Sequence, residues 1–248
     1  LGGKRTVIVA VSVDLLAKIA LAPILLVQAL QVRNRALILP EAAGPRQASL
    51  GQGPDLRLLV LGDSAAAGVG ADHQSQALSG QLAAELADRF TVRSTLNAAT
   101  GATTRVATNT LMSEVTGQFD VAVISLGVND LTHGVFLRNW QRQLHRLFSV
   151  LTDQHGVKLI LMSGLPPMGN FPLLPQPLRW VMGRQSRRFD VALASLTAVH
   201  PGAVHVPLDL PFDASMMAAD GFHPSPPAYH HWALMLKDQV LAHRDRLS

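Results

Sequence analysis

The sequence predicts an α/β fold, a parallel sheet with helices on both faces, and three observations carry that prediction. Short apolar runs alternate with helical patterns from residue 55 onward, the order expected when helices cross over between parallel strands. Hydrophobic residues make up 48% of the 248 residues and aromatics only 5%, so the core is expected to consist mainly of Leu, Val, Ile and Ala. The polar residues suited to chemistry fall just after successive apolar runs, and in a parallel sheet those ends share one edge.

The elements follow in order. Residues 56–61 read as a buried first strand, cut off by Gly62-Asp63-Ser64 and a small-residue tract with Gly68 and Gly70. Residues 74–89 form a helix with Leu78, Leu82 and Leu86 on one face. A weaker strand at 91–96, a helix at 103–116 and a strong strand at 121–126 come next. Residues 136–154 are amphipathic, with Leu137, Trp140, Leu144, Leu147 and Leu151 at helical spacing. The fourth strand is 157–162, a helix spans 184–199, the fifth strand is 203–207, and residues 226–243 close the domain as a helix. Between them, residues 166–180 are proline-rich and irregular, placed to form a cleft wall.

The amino end differs from the rest. Residues 7–30 are almost wholly apolar, with Asp14 and Lys18 their only charges, between Lys4-Arg5 and Arg33 and Arg35. The length suits a spanning helix, yet two ionisable groups near its middle and Pro23 count against one. The basic-then-apolar order fits a signal sequence, although no small-x-small site closes it; a helix packed on the domain is the third reading. We expect residues 1–39 to be a separate apolar segment, with membrane association through residues 6–32. Residues 40–54, rich in Gly, Pro and Ala, read as a linker, and residues 55–248 as the globular domain. A membrane or cell-envelope location is favoured over the cytoplasm, and the oligomeric state is left open.

Composition excludes several classes. Without cysteine there are no disulfides, thiolate nucleophiles or cysteine metal sites. The net charge of +4 is mostly arginine, with no dense basic block interleaved with aromatics, so no nucleic-acid partner is expected. His73, His133, His145, His155, His200, His205, His230 and His231 lack the paired acidic spacing of a metal site. No metal and no cofactor are expected.

The chemistry is read at the strand ends. Ser64 follows the first strand, Asn97 to Gly101 the second, Asn129 and Asp130 the third, and Asp220 and His223 the fifth. A serine hydroxyl needs a base to take its proton, and histidine titrates near neutral pH. Asp220, three residues before His223, can accept from one imidazole nitrogen and leave the other for Ser64. The backbone N–H groups of Ser64 and Gly101 and the Asn129 amide could bind an oxyanion. Blander readings stand beside these: Ser64 as a helix cap, Gly101 as a turn residue, Asn129 as an Asx turn, Asp63 as a structural acceptor and Asp130 as a loop brace.

Gly62-Asp63-Ser64 with Gly68 and Gly70, Gly101 within Ala-Thr-Gly-Ala-Thr, Gly127-Val-Asn129-Asp130 and Asp220-x-x-His223-Pro224 resemble the four signature blocks of the SGNH (GDSL-type) hydrolases. The resemblance runs from about residue 56 to 245, with Ala65 where leucine is frequent and a looser match around Gly101. It implies a three-layer α/β/α sandwich with a five-stranded parallel, flavodoxin-like sheet. It also implies Ser64 as nucleophile, Asp220 and His223 as its partners, and Ser64, Gly101 and Asn129 as the oxyanion hole. The expected activity is hydrolysis of carboxylic, small-molecule or lipid-derived esters through an acyl-enzyme. Lysophospholipase, thioesterase and carbohydrate O-deacetylase are alternatives, as are an acyltransferase using the same acyl-enzyme and a non-catalytic binding domain.

Overall fold

The computed structural model describes residues 21–209 and 214–247; residues 1–20 of the predicted apolar segment 1–39 lie outside them. Its centre is a six-stranded sheet of β1 (Gln47–Leu50), β2 (Asp55–Gly62), β3 (Thr91–Ala98), β4 (Val121–Ser125), β5 (Leu159–Ser163) and β6 (Ala203–Val206). Strands β2 to β6 are parallel, as the alternation predicts, in the order β1-β3-β2-β4-β5-β6. The sixth strand is a correction to the predicted five. Residues 47–50, read as part of a linker, pair antiparallel with β3 from Gln47 opposite Thr95 to Leu50 opposite Val92. Gln-Ala-Ser-Leu is exposed or half-exposed throughout, so an edge position needs no apolar period and leaves none to read.

Around the sheet lie α1 (residues 21–35), α2 (Leu78–Leu86), α3 (Thr104–Glu114), α4 (Val128–Thr132), α5 (Leu137–Ser149), α6 (Leu178–Ala198) and α7 (Pro226–Ala242). Strand side chains alternate between two core layers, as the period of two requires. Leu58 and Val60 of β2 pack with Leu82 of α2 and Leu236 of α7. Leu59 and Leu61 face the other way, with Leu111, Leu144 and Leu193 of α3, α5 and α6. Both faces are covered, which is why these strands read as unbroken apolar runs.

Several boundaries move. The helix predicted over 74–89 splits into a 3-10 turn, Gln74–Gln76, and α2. The buried Gln74 amide causes the break by donating to Ala42 O (3.2 Å) and Ala67 O (3.0 Å). The helix predicted to start at 184 begins at Leu178, with Pro177 at its cap, where a missing N–H does not interrupt the helix. Among the described residues, no helix is long and apolar enough to cross a membrane.

The chain leaves β2, forms β3 on one side, then crosses to β4 on the other. That reversal opens a crevice at the carboxyl end of β2. Ser64 sits there.

Candidate active site

Three side chains form a hydrogen-bonded line at this edge. His223 Nε2 lies 2.8 Å from Ser64 Oγ, and His223 Nδ1 lies 2.5 Å from Asp220 Oδ2. The buried Asp220 also accepts at Oδ1 from the backbone N–H groups of Phe222 (2.9 Å) and His223 (3.0 Å). Burial alone would raise its pKa. The hydrogen bonds from the His223 ring and the two N–H groups, together with the facing imidazole, outweigh this and hold it below the usual carboxylate range. With Nδ1–H donating to that carboxylate, Nε2 is left to accept the Ser64 proton. Ser64 therefore does not use its hydroxyl as a helix cap.

Local sequence explains how the partners meet. The turn after β2 is closed by Ala67 N–H to Asp63 O (2.9 Å) and Val69 N–H to Ser64 O (3.0 Å). Gly70, at φ +101°, brings this turn against Pro224, and a Cβ there would stand 2.3 Å from Pro224 O. Tyr229 on α7 clamps the same contact by donating to Val69 O at 2.7 Å. The turn carrying Ser64 and the loop carrying His223 are thus held together by backbone approach that only glycine allows.

The three groups predicted to bind an oxyanion line one cavity with His223. Among the described residues, neither the Ser64 nor the Gly101 backbone N–H is hydrogen-bonded within the chain. Gly101 has φ +79° and open space around its missing Cβ, so the left-handed backbone is what calls for glycine there. Asn129, on α4, is already engaged: Nδ2 donates to Asp63 Oδ2 (3.2 Å) and to Ala102 O (3.1 Å). Both bonds are at the long end of the normal range.

Two buried acids hold these loops in register. Asp63 accepts from Ala65 N–H (3.1 Å) and from Asn129. Burial, offset only in part by these bonds and reinforced by the neighbouring Asp130 charge, pushes it up to about 7. Asp130 accepts from the N–H and hydroxyl of Thr104, both at 2.9 Å, while Trp140 Nε1 donates to that hydroxyl at 3.0 Å. The segment after Gly101 is thereby tied to the segment carrying Asn129. Burial again raises the Asp130 carboxyl.

Sequence reasoning missed a further brace. Glu41 Oε1 accepts from the backbone N–H (2.7 Å) and hydroxyl (2.8 Å) of Thr100, next to Gly101. Its other oxygen meets Arg46 Nη2 at 2.5 Å, and Arg46 Nη1 donates to Ala98 O at 2.6 Å. A lone acid after Pro40 in a Gly/Pro-rich tract carries no periodic signal. The cavity holds about 770 Å3, within the roughly 300–1,000 Å3 of small-molecule sites. Apart from the edge that holds Ser64, Asn129 and His223, its lining is mainly apolar, including Leu126, Leu165, Met168, Phe171, Leu174 and Met182. His133 and the Met216-Met217 pair also line it, whereas His230 lies at the surface against Gln81 and Glu85.

Residues 60–231 match the family model of the GDSL-like lipase/acylhydrolase family. The chain belongs to this family. The family is one of lipases and acylhydrolases. The chain is 30% identical over 210 residues to the GDSL-like esterase Rv1075c of Mycobacterium tuberculosis, a match covering 78% of this chain and 63% of that protein. The chain thus spans somewhat less than two thirds of that relative's length. In fold it is similar to TesA (24% identity, TM-score 0.59, 77% of this chain and 99% of that one). It is likewise similar to the psychrotrophic esterase EstA of a Pseudoalteromonas species (18% identity, TM-score 0.55, 76% and 98%), solved with monoethylphosphonate as inhibitor.

Proposed function

We propose that the protein cleaves carboxylic esters bearing an apolar acyl chain through an acyl-enzyme on Ser64. The observation that carries this reading is the unbroken Asp220–His223–Ser64 line at the edge of a mainly apolar cavity. His223 Nε2 takes the Ser64 proton as Oγ attacks the acyl carbon, and the carbonyl π electrons move onto oxygen. The free N–H groups of Ser64 and Gly101 bind that oxyanion, and Asn129 joins them by exchanging its long bond to Ala102 O. Collapse re-forms the carbonyl, breaks the ester C–O bond and sends the alcohol away with the proton from His223. Water, giving a proton to His223, then attacks the acyl-enzyme; the acid leaves and Ser64 regains its proton.

Lipid-derived esters suit the cavity better than small polar ones. The outer side of α1 exposes Ile24, Leu26, Val27 and Leu30, continuing the apolar run of residues 7–20. This supports association with a membrane through residues 6–32. Flotation of the full chain with phospholipid vesicles tests it: co-flotation is expected, and a chain that stays at the bottom of the gradient contradicts it. Stopped-flow turnover of a p-nitrophenyl ester tests the chemistry. A burst of p-nitrophenol equal to the enzyme concentration where deacylation limits, or transfer of the acyl group to an added alcohol in competition with water where acylation limits, is expected for an acyl-enzyme. No hydrolysis of any ester would contradict the reading.

A further inference from the structure

Helix α1 is built into the cavity. Residues 21, 25, 28, 32 and 36 are half-buried and those between them exposed, so a single stripe faces the domain. Ala29, Val32 and Arg33 line the cavity, and Leu25 and Val32 pack against the core layer under α5 and α6. One side chain fastens the helix in this position. Gln28 Nε2 donates to Gln176 O at 2.6 Å, and Gln28 Oε1 accepts from Leu178 N–H at 3.1 Å. Leu178 opens α6, where the N–H has no partner within the helix. The Gln28 amide supplies that partner. Leu174 and Leu178, on either side of the Gln176 contact, also line the cavity, so latch and wall form one unit.

We propose that α1 is the wall against which the acyl chain packs, and that it sets the chain length accepted. The inference rests on the ester-hydrolase reading and deepens it. His223 must reach the leaving oxygen, so the alcohol lies on its side of Ser64. The acyl chain then turns away from His223, into the apolar part of the cavity that Leu165, Leu178 and Val32 line. Each methylene packed there is worth about fourfold in kcat/KM, from the transfer free energy of a buried methylene.

Comparing p-nitrophenyl octanoate with p-nitrophenyl acetate in the full chain and in two variants tests this. In Val32→Trp the indole occupies the space of the chain, and the octanoate-to-acetate ratio of kcat/KM should fall by about tenfold or more, the equivalent of about two methylenes. In Gln28→Ala the wall loosens, and the same ratio should fall through a higher KM for octanoate while kcat holds. An unchanged ratio in both variants overturns the inference. So does an equal loss on both esters in variants with native circular dichroism, because α1 would then support the catalytic edge and not the chain. If Val32→Trp does not fold, Gln28→Ala decides alone. A wild-type chain inactive on both esters would instead remove the hydrolase reading beneath, an outcome distinct from these.

Discussion

His223 lies between a buried carboxylate and a hydroxyl, and each contact is open to a separate substitution. Asp220→Asn keeps an acceptor for the two backbone N–H groups but places an amide against Nδ1, turning the imidazole to the wrong tautomer. We expect kcat to fall by about 10³–10⁴, with His223→Ala more severe still. An Asp220→Asn enzyme with wild-type kcat would remove Asp220 from the mechanism. Asn129→Ala should lower kcat by about 10²–10³ with little change in KM, because the oxyanion draws on the amide more than the ground-state carbonyl does. A raised KM at constant kcat would make Asn129 a substrate-binding residue. We expect the exchange to cost little because the bonds to Asp63 and Ala102 are long.

At the scale of elements, the parallel strands and the helices between them were legible because burial on both faces leaves long apolar or periodic signatures. Ser64, Asp220 and His223 were legible because a parallel sheet gathers its strand ends at one edge. What escaped had no such signature. β1 is an exposed edge of four residues, α4 is a five-residue turn of helix carrying Asn129, and the Glu41–Arg46 brace is two charges within a Gly/Pro-rich tract. Residues 40–54 read as a spacer, yet through Glu41 they position the Gly101 loop. Glu41→Ala should therefore lower kcat by about tenfold, the equivalent of one net hydrogen bond at the transition state. A lower Tm with kcat unchanged would reduce Glu41 to a structural role.

For the molecule as a whole, two of the shifted acids at the site, Asp63 and Asp220, give pH dependences of opposite sign. Asp63 is raised from 3.8 to about 7, so the folded state holds its proton more tightly than the unfolded chain. Its contribution to stability is complete below the unfolded value and is lost as pH rises through about 7. Asp220 is lowered; its contribution is present above the unfolded value and lost as pH falls through the depressed folded one. The difference in Tm between wild type and Asp63→Asn should therefore change across about pH 4 to 7, with wild type losing ground as pH rises; a constant difference would contradict the buried, protonated Asp63. The central claim is that the one serine in line with His223 becomes covalently bonded to the acyl group. Reacting the full chain with a fluorophosphonate and mapping the adduct by peptide mass spectrometry tests it most directly. We expect one phosphonyl group per chain, on Ser64, with labelling and ester turnover both lost in Ser64→Ala. An adduct on another residue, or a Ser64→Ala protein that keeps its turnover, would contradict it.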